Sequence, residues 1–395
     1  MARTPVLARS VYRPVGGAHA VRVDHAVYTA AIGPLDAQGR LVGRADLTAQ
    51  AEQVYGNLTR VLEVAGVGWE DVVKVHTYVA PDAIGPTGRR ALQTIEDRCL
   101  PPGQRTGLAV SLPLPDPEWL IAVELIAHPG VPKQPVTGVP GVAVAPGWAP
   151  AVRVGYFIYL GAQIPLDRTS LGTDPDAATL VAGDTTTQIR TAYAQHGAIL
   201  TAAGLSWDDA FKVQQYVTRR DLNLNDMQAA RSVYLTLGRF LSTSVVCGPV
   251  HPQWALEGWL LTVDMEACSG PKTYVHAPTV WGNPKGPHAM KIGKTIYMHG
   301  QVARDLSRQT LHPDDARAQA DLTYRNLDGV LKAAGAGWGQ VVHVKTFCKH
   351  REDLAAVRDV RSQWLRDGHY TATDLVAAFF DPALLVEIEL ITVTD

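Results

Sequence analysis

Cysteine is scarce in this sequence: the four present, Cys99, Cys247, Cys268 and Cys348, stand far apart and form no C-x-x-C pair. That excludes a disulfide framework and a cysteine-built zinc site, and it fits a reducing cytoplasm. Long apolar runs are lacking too. Nothing approaches the roughly 20 consecutive apolar residues of a membrane-spanning helix, and the stretch from Met1 to Val15 carries arginines but no continuous apolar core. Neither insertion nor secretion is expected. Charge of one sign is in no excess, with 36 Lys and Arg against 38 Asp and Glu, a formal net charge of −2 and the basic residues scattered. No field draws in nucleic acid or an anionic membrane surface. What is present is a 395-residue chain, 46% hydrophobic and 19% charged, of mean hydropathy −0.01. This composition reads as soluble and globular, long enough for two to four domains.

The chain repeats itself three times. Gln50, Gly66, Trp69 and Tyr78 recur as Gln188, Gly204, Trp207 and Tyr216, and again as Gln319, Gly335, Trp338 and Phe347, with identical internal spacing. Offsets of 138 and 131 residues are the size of a complete small domain, too long for a solenoid unit. Three domains are expected, over residues 1–130, 145–268 and 280–395.

Each copy has one layout. A strand hairpin opens it (20–23 and 26–31 in the first copy, with second strands at 156–161 and 295–299 in the others). A helix over 46–65 follows, with Leu47, Val54, Leu58, Val61, Leu62 and Ala65 at helical intervals and Gln50, Gln53, Asn57 and Arg60 off that face. Glycine closes the helix at Gly66, Gly204 and Gly335, because it tolerates the left-handed backbone of a helix C-terminus. Then come an alternating strand at 73–79, a second helix (89–98, 226–236 and 354–365) and two closing strands ending near Leu125, Met265 and Leu390. The order β-β-α-β-α-β-β is an α+β layout with helices on one face of a sheet. Proline-rich stretches at 129–150 and 268–287 mark the joints.

The strand and turn Tyr28-Thr29-Ala30-Ala31-Ile32-Gly33-Pro34-Leu35-Asp36, then Gln50, Asn57-Leu58, Ala65-Gly66, Asp71-Val72-Val73-Lys74, Gln104-Arg105-Thr106 and Val123-Glu124-Leu125-Ile126-Ala127, form an ordered set. Gly161-Ala162-Gln163-Ile164-Pro165 echoes it in the second copy, and His299-Gly300-Gln301-Val302 and Val386-Glu387-Ile388-Glu389-Leu390-Ile391 in the third. In these motifs the chain resembles the RidA/YjgF (imine deaminase-like) family over nearly its whole length. The resemblance implies three tandem RidA/YjgF-like domains forming an intramolecular pseudo-trimer, sheets inside and helices outside, with a ligand pocket at each inter-domain contact. It also implies a small-molecule, carboxylate-bearing substrate and no cofactor. A chain that supplies all three faces of a trimer is expected as a monomer or a dimer of such units.

In the family, an arginine just before the penultimate strand grips the substrate carboxylate, a task suited to the guanidinium fork. By resemblance that residue is Arg105, with threonine near Thr243 and Thr373 in the other copies. A family glutamate that positions the attacking water corresponds to Glu387, against Ala122 and Thr262 elsewhere, while Glu124 and Glu389 match a position that is also filled structurally. His299 stands beside the implied pocket, where it reads either as a general acid or base or as a space-filling imidazole. Trp148 reads either as a stacking surface for a planar substrate or as linker packing. Cys247 lies near the family's pocket cysteine, although an insertion around 249–258 blurs its register and a structural role competes. Trp69, Trp207 and Trp338 read as core anchors, and His76 and His343 as sheet-face residues; no metal-ligand spacing is visible.

Arginine and glutamate thus stand in different copies, which counts against plain imine hydrolysis at three equal pockets. Three functions remain open: acid-base chemistry on a small anionic carbonyl, imine or enamine compound in specialised metabolism; carbon–carbon condensation or cyclisation on the same scaffold; and non-catalytic binding of a small anion. The endoribonuclease activity attributed to some family members is disfavoured by the acidic pI and the missing basic stripe.

Overall fold

This computed structural model of the chain describes residues 3–394, apart from 82, 84–85, 143, 145–146, 168–178, 182, 219–223, 248–259 and 283–285. The first copy contains β1 (Arg3–Val6), β2 (Ala20–Val23), β3 (Ala26–Thr29), α1 (Leu47–Ala65), β4 (Val72–Val79), α2 (Pro86–Cys99), β5 (Thr106–Ser111) and β6 (Ile121–Ala127). The second contains β7 (Lys133–Val136), β8 (Ala151–Val154), β9 (Phe157–Gln163), α3 (Thr185–Ala202), β10 (Ala210–Val217), α4 (Leu224–Arg231), β11 (Leu241–Val246) and β12 (Leu261–Cys268). The third contains β13 (Lys272–Val275), β14 (Ala289–Ile292), β15 (Thr295–Met298), β16 (Gln301–Val302), α5 (Ala316–Ala333), β17 (Val341–Cys348), α6 (Leu354–Trp364), β18 (Thr371–Val376) and β19 (Val386–Val393).

The three sheets share one strand order: β1-β2-β3-β6-β4-β5, β7-β8-β9-β12-β10-β11 and β13-β14-β15-β19-β17-β18, with β16 beside β19. Each has one parallel pair, β4–β5, β10–β11 or β17–β18, which needs the crossover that the second helix supplies. Each copy carries one strand more than β-β-α-β-α-β-β, because the proline-rich joints hold the edge strands β7 and β13, as β1 precedes the first hairpin. These runs are four residues long and hold or follow a proline, a pattern tolerated at a sheet edge and invisible to an alternation test.

Aspartate starts all three long helices: Asp46, Asp184 and Asp315 accept from the backbone N–H of Ala49, Thr187 and Ala318 at 2.9–3.0 Å. Gly66 ends α1 at φ 68°, ψ 38°. Gln50 and Asn57, expected off the packed face, are buried. The Gln50 side chain donates to the carbonyls of Gly43 and Glu118 and accepts from Leu120 N–H, as Gln319 does with His312, Ala383 and Leu385. The repeated glutamine therefore ties the first helix to the loop before the last strand. The repeated tryptophans pack beside tyrosines of that helix, with ring centroids 5.7 Å apart for Trp69–Tyr55, 6.0 Å for Trp207–Tyr193 and 5.7 Å for Trp338–Tyr324.

Helices cover one face of each sheet over a separate core. On the opposite faces the copies meet: Tyr78, Tyr216 and Phe347 share one apolar cluster. Buried ion pairs run round it in order. Lys74 of the first copy reaches Asp264 of the second (2.8 Å), Lys212 of the second reaches Glu389 of the third (2.9 Å), and Lys345 of the third reaches Glu124 of the first (2.6 Å). His76 adds a contact to Glu124 at 2.7 Å. Among the described residues no helix is long and apolar enough to cross a membrane.

Candidate functional site

Strand register identifies equivalent residues in the three copies. Tyr78, Tyr216 and Phe347 face Ala122, Thr262 and Glu387, so these three occupy one slot. Lys74, Lys212 and His343 face Thr106, Leu241 and Thr371, so the slot of Arg105 is filled by Phe240 and Tyr370, and not by Thr243 and Thr373. The threonines sit three residues further along. The threonine-rich segments 241–244 and 371–373 hold nothing that marks where the strand begins, so position along it is fixed only by pairing with the neighbouring strand.

Arg105 is wholly buried where the first copy meets the second. Its guanidinium donates to Leu100 O (3.0 Å) and Asp97 (2.8 Å), lies 3.9 Å from Glu96, and is covered by the Trp148 ring at 5.3 Å. Arg105 and Trp148 are therefore brought together, each enclosed by the contact. Cys247 is buried in the apolar cluster between copies, where burial pushes its thiol up to about 12. The segment 249–258 lies outside the described residues.

His299 and Glu387 meet the second copy, at a different contact from Arg105. Glu387 lies against Thr243 of β11, and a Cβ at Gly300 would fall inside the Glu387 carboxyl and 2.7 Å from Thr243 Oγ1. Glycine at 300 thus makes room for the acid. The equivalent position in the first copy is Ala31, which lines one cavity with Ala122, the short residue in the Glu387 slot. His299 has Nδ1 3.2 Å from Gly300 O, and its buried Nε2 has no hydrogen-bond partner among the described residues. Thr243 donates to Glu389, two residues from Glu387 on the same face of β19.

These environments push an acid and a base in opposite directions. Burial, then the Glu389 carboxylate, raises Glu387 to about 8, against the pull of Thr243 and Arg304. Burial lowers His299 to about 4, with Glu389 pulling the other way. Burial would also raise Glu389, but Lys212 and Lys345 overcome it and hold that group at about 2. At neutral pH the site contains a protonated carboxyl, a neutral imidazole and a carboxylate. Paired groups driven apart in this way supply a general acid and a general base.

Glu387 also couples stability to pH. Its folded value of about 8 lies above the ordinary 4.5, so between those values the native state keeps a proton that the unfolded chain has lost, and stability falls as pH rises. Glu96, raised to about 7 chiefly by burial, works in the same sense up to pH 7, and buried neutral histidines such as His299 oppose it below 6.5. Between pH 7 and 8 the Glu387 contribution stands clear, at up to about 1.4 kcal/mol per pH unit. Urea unfolding of the wild type should lose stability across this window, and Glu387→Gln should flatten the slope; equal slopes would mean that Glu387 is ionised in the native state.

The contact between the first and third copies holds a cavity of about 270 Å³. Ala31, Gly33, Ala122 and Trp119 of the first copy and Arg358 and Asp374 of the third are among its lining residues. This site has the space but carries alanine in the Glu387 slot.

Sheet order, repeated caps and inter-copy contacts define a tandem protein of the RidA-like α+β class. The family model described as Endoribonuclease L-PSP matches residues 16–128 and 286–394, together more than half of the chain, and the chain belongs to that family. A 2-iminobutanoate/2-iminopropanoate deaminase of Dermatophagoides farinae is 27% identical over 127 residues, which is 32% of this chain and 98% of the relative. A RutC family protein of Synechocystis sp. is 32% identical over 114 residues, 28% of this chain and 88% of the relative. Each relative corresponds to about one copy. A chorismatase crystal structure matches across 82% of this chain and 93% of its own, with TM-score 0.54 and 16% identity, a likeness of fold on the scale of the tandem chain.

Sequence reasoning assigned no role to Gly300, to Thr243 as the hydroxyl between two carboxyls, or to the three lysines. Lys74 and Lys212 stand at one repeat position, filled by His343 in the third copy. Lys345 stands two residues further along its strand, so the repeat conceals it.

Proposed function

We propose that this protein is an enzyme derived from the RidA/YjgF scaffold, performing acid-base chemistry on a small anionic carbonyl, imine or enamine compound where the second and third domains meet. The observation that carries this reading is that a proton-holding Glu387, packed against Gly300, and the preceding His299, neutral and with a buried Nε2 that has no hydrogen-bond partner among the described residues, both meet the second copy. The single Thr243 hydroxyl proton goes to ionised Glu389, which leaves the Glu387 acid proton for the substrate. For an imine, Glu387 protonates nitrogen while His299 Nε2 takes a proton from the attacking water. Collapse of the carbinolamine then returns a proton to Glu387, transfers the His299 proton to nitrogen, forms C=O and releases ammonia.

In this reading the domains expected over 1–130, 145–268 and 280–395, the second and third extended by their edge strands β7 and β13, close as an intramolecular pseudo-trimer, supported by the cyclic Lys–carboxylate pairs. Arg105 and Trp148 position the first domain against the second, and Cys247 fills the apolar interior. Light scattering should give the mass of one chain, 42.6 kDa, or of two; a mass of three chains would overturn the closure.

Turnover is tested on 2-imino acids generated in situ, on enamines, and on chorismate, the compound for which the structural relative is named. Glu387→Gln should lower kcat by about 100-fold or more, the usual contribution of a positioned general acid, with the fold retained. A variant that keeps full turnover on the responsive substrate overturns the assignment.

A further inference from the structure

Each copy has a charged, buried residue on its second helix, close to the tyrosine of its first helix: Glu96 by Tyr55, Arg231 by Tyr193 and Arg361 by Tyr324. In the first copy the buried charges balance, since Arg105 on the strand side faces Glu96 and Asp97. In the third they balance as well: Arg361 grips Asp374 with both ends of its fork, at 2.6 and 3.1 Å, and Arg358 adds 2.7 Å. The second copy breaks the rule. Parallel pairing places Ser244 one residue beyond Thr243 on β11, as Asp374 follows Thr373 on β18, so a serine replaces the carboxylate. Arg231 is 3% exposed, hydrogen-bonded to Gln215 Oε1 at 3.2 Å and stacked on Phe240 at 5.3 Å, with no carboxylate within ion-pair distance among the described residues.

A buried guanidinium with no counter-charge is unfavourable and persists where something else supplies the charge. The position of Asp374 is known to face a ligand-sized space, because Asp374 lines the cavity between the first and third copies. Ser244 holds the same position toward the Glu387 and His299 contact, and the Arg231 charge reaches His299 electrostatically.

We propose that Arg231, held by Gln215 Oε1, which also accepts from Ser244, is the anion subsite of this site, and that the carboxylate of the substrate takes the place that Asp374 fills in the third copy. A carboxylate is indicated because the Arg361–Asp374 pair displays, within this same fold, the two-pronged geometry that a guanidinium fork offers to a planar anion. The inference rests on the location proposed for the active site, but it assigns the grip to a helix residue distinct from Arg105.

Equilibrium binding separates it from catalysis. Pyruvate is titrated into wild type, Arg231→Met and Ser244→Asp by calorimetry, with no turnover required. Ser244→Asp restores the internal partner and so should raise Tm while weakening pyruvate binding about 10- to 100-fold, the range expected for losing hydrogen bonds to a charged group; Arg231→Met should weaken it similarly. Wild-type binding that survives Ser244→Asp unchanged, or the absence of any pyruvate binding to the wild type, overturns the subsite. Loss of the general-acid reading through an active Glu387→Gln, with pyruvate binding still sensitive to Ser244→Asp, overturns that reading and leaves the subsite standing.

Discussion

Lys345→Met is expected to lose about 3–5 kcal/mol of folding stability, the range for removing one partner of a buried ion pair. Lys345 reaches from the third copy to Glu124 of the first at 2.6 Å and to the Tyr78 hydroxyl at 2.9 Å, with both charged side chains almost wholly enclosed. Methionine fills most of the same volume, so the loss isolates charge from packing. Without the ammonium, Glu124 retains His76 and Tyr78, while its depressed proton affinity, held down against burial by Lys345 and His76, rises. Adding Glu124→Gln should recover much of the loss, since a neutral amide no longer strands a charge. Guanidinium unfolding of the single and double variants measures this; a single-variant loss below about 1 kcal/mol, the level of a surface pair, would show that the inter-copy pair is solvated.

Arg105→Ala separates two roles that sequence left open. If Arg105 gripped substrate, alanine would abolish turnover and leave stability almost untouched. The geometry points the other way: the guanidinium is shut between Asp97, the Leu100 carbonyl and the Trp148 ring, with Glu96 at 3.9 Å. Removing it strands Glu96, which burial already pushes up to about 7 despite the Arg105 charge. A stability loss of about 3–5 kcal/mol is expected, with kcat/KM on the responsive substrate within twofold of wild type at temperatures where the variant is folded. A folded, stable and inactive Arg105→Ala would restore Arg105 as the substrate clamp.

The divergence of the copies follows from their fusion. A homotrimer must repeat every substitution three times, whereas here each contact has its own composition. The contact of the first and third copies keeps a cavity with alanine in the Glu387 slot, that of the first and second encloses Arg105 and Trp148, and that of the second and third holds Glu387, His299 and an Arg231 with no carboxylate partner among the described residues.

Local chemistry made much of the fold legible in the sequence. Helix starts, glycine stops and the Gln–Gly–Trp spacing depend on neighbours within about twenty residues, and such short-range rules survive when three copies diverge. The identity of Glu387 and His299 as candidates was legible for the same reason, since each stands beside a recognisable strand motif. The edge strands β7 and β13 were not, because four residues beside proline carry too little alternation to register. Nor was the correct partner slot of Arg105, because the threonine-rich starts of β11 and β18 mark no position along the strand until a neighbouring strand pairs with them. Which copies face each other was decided only by tertiary structure. Lys345 and Glu124 are separated by 221 residues, and Arg231 becomes conspicuous only when Ser244 is seen in the position of Asp374. A buried charge acquires its meaning from the partner that folding places beside it, and that partner comes from another part of the chain.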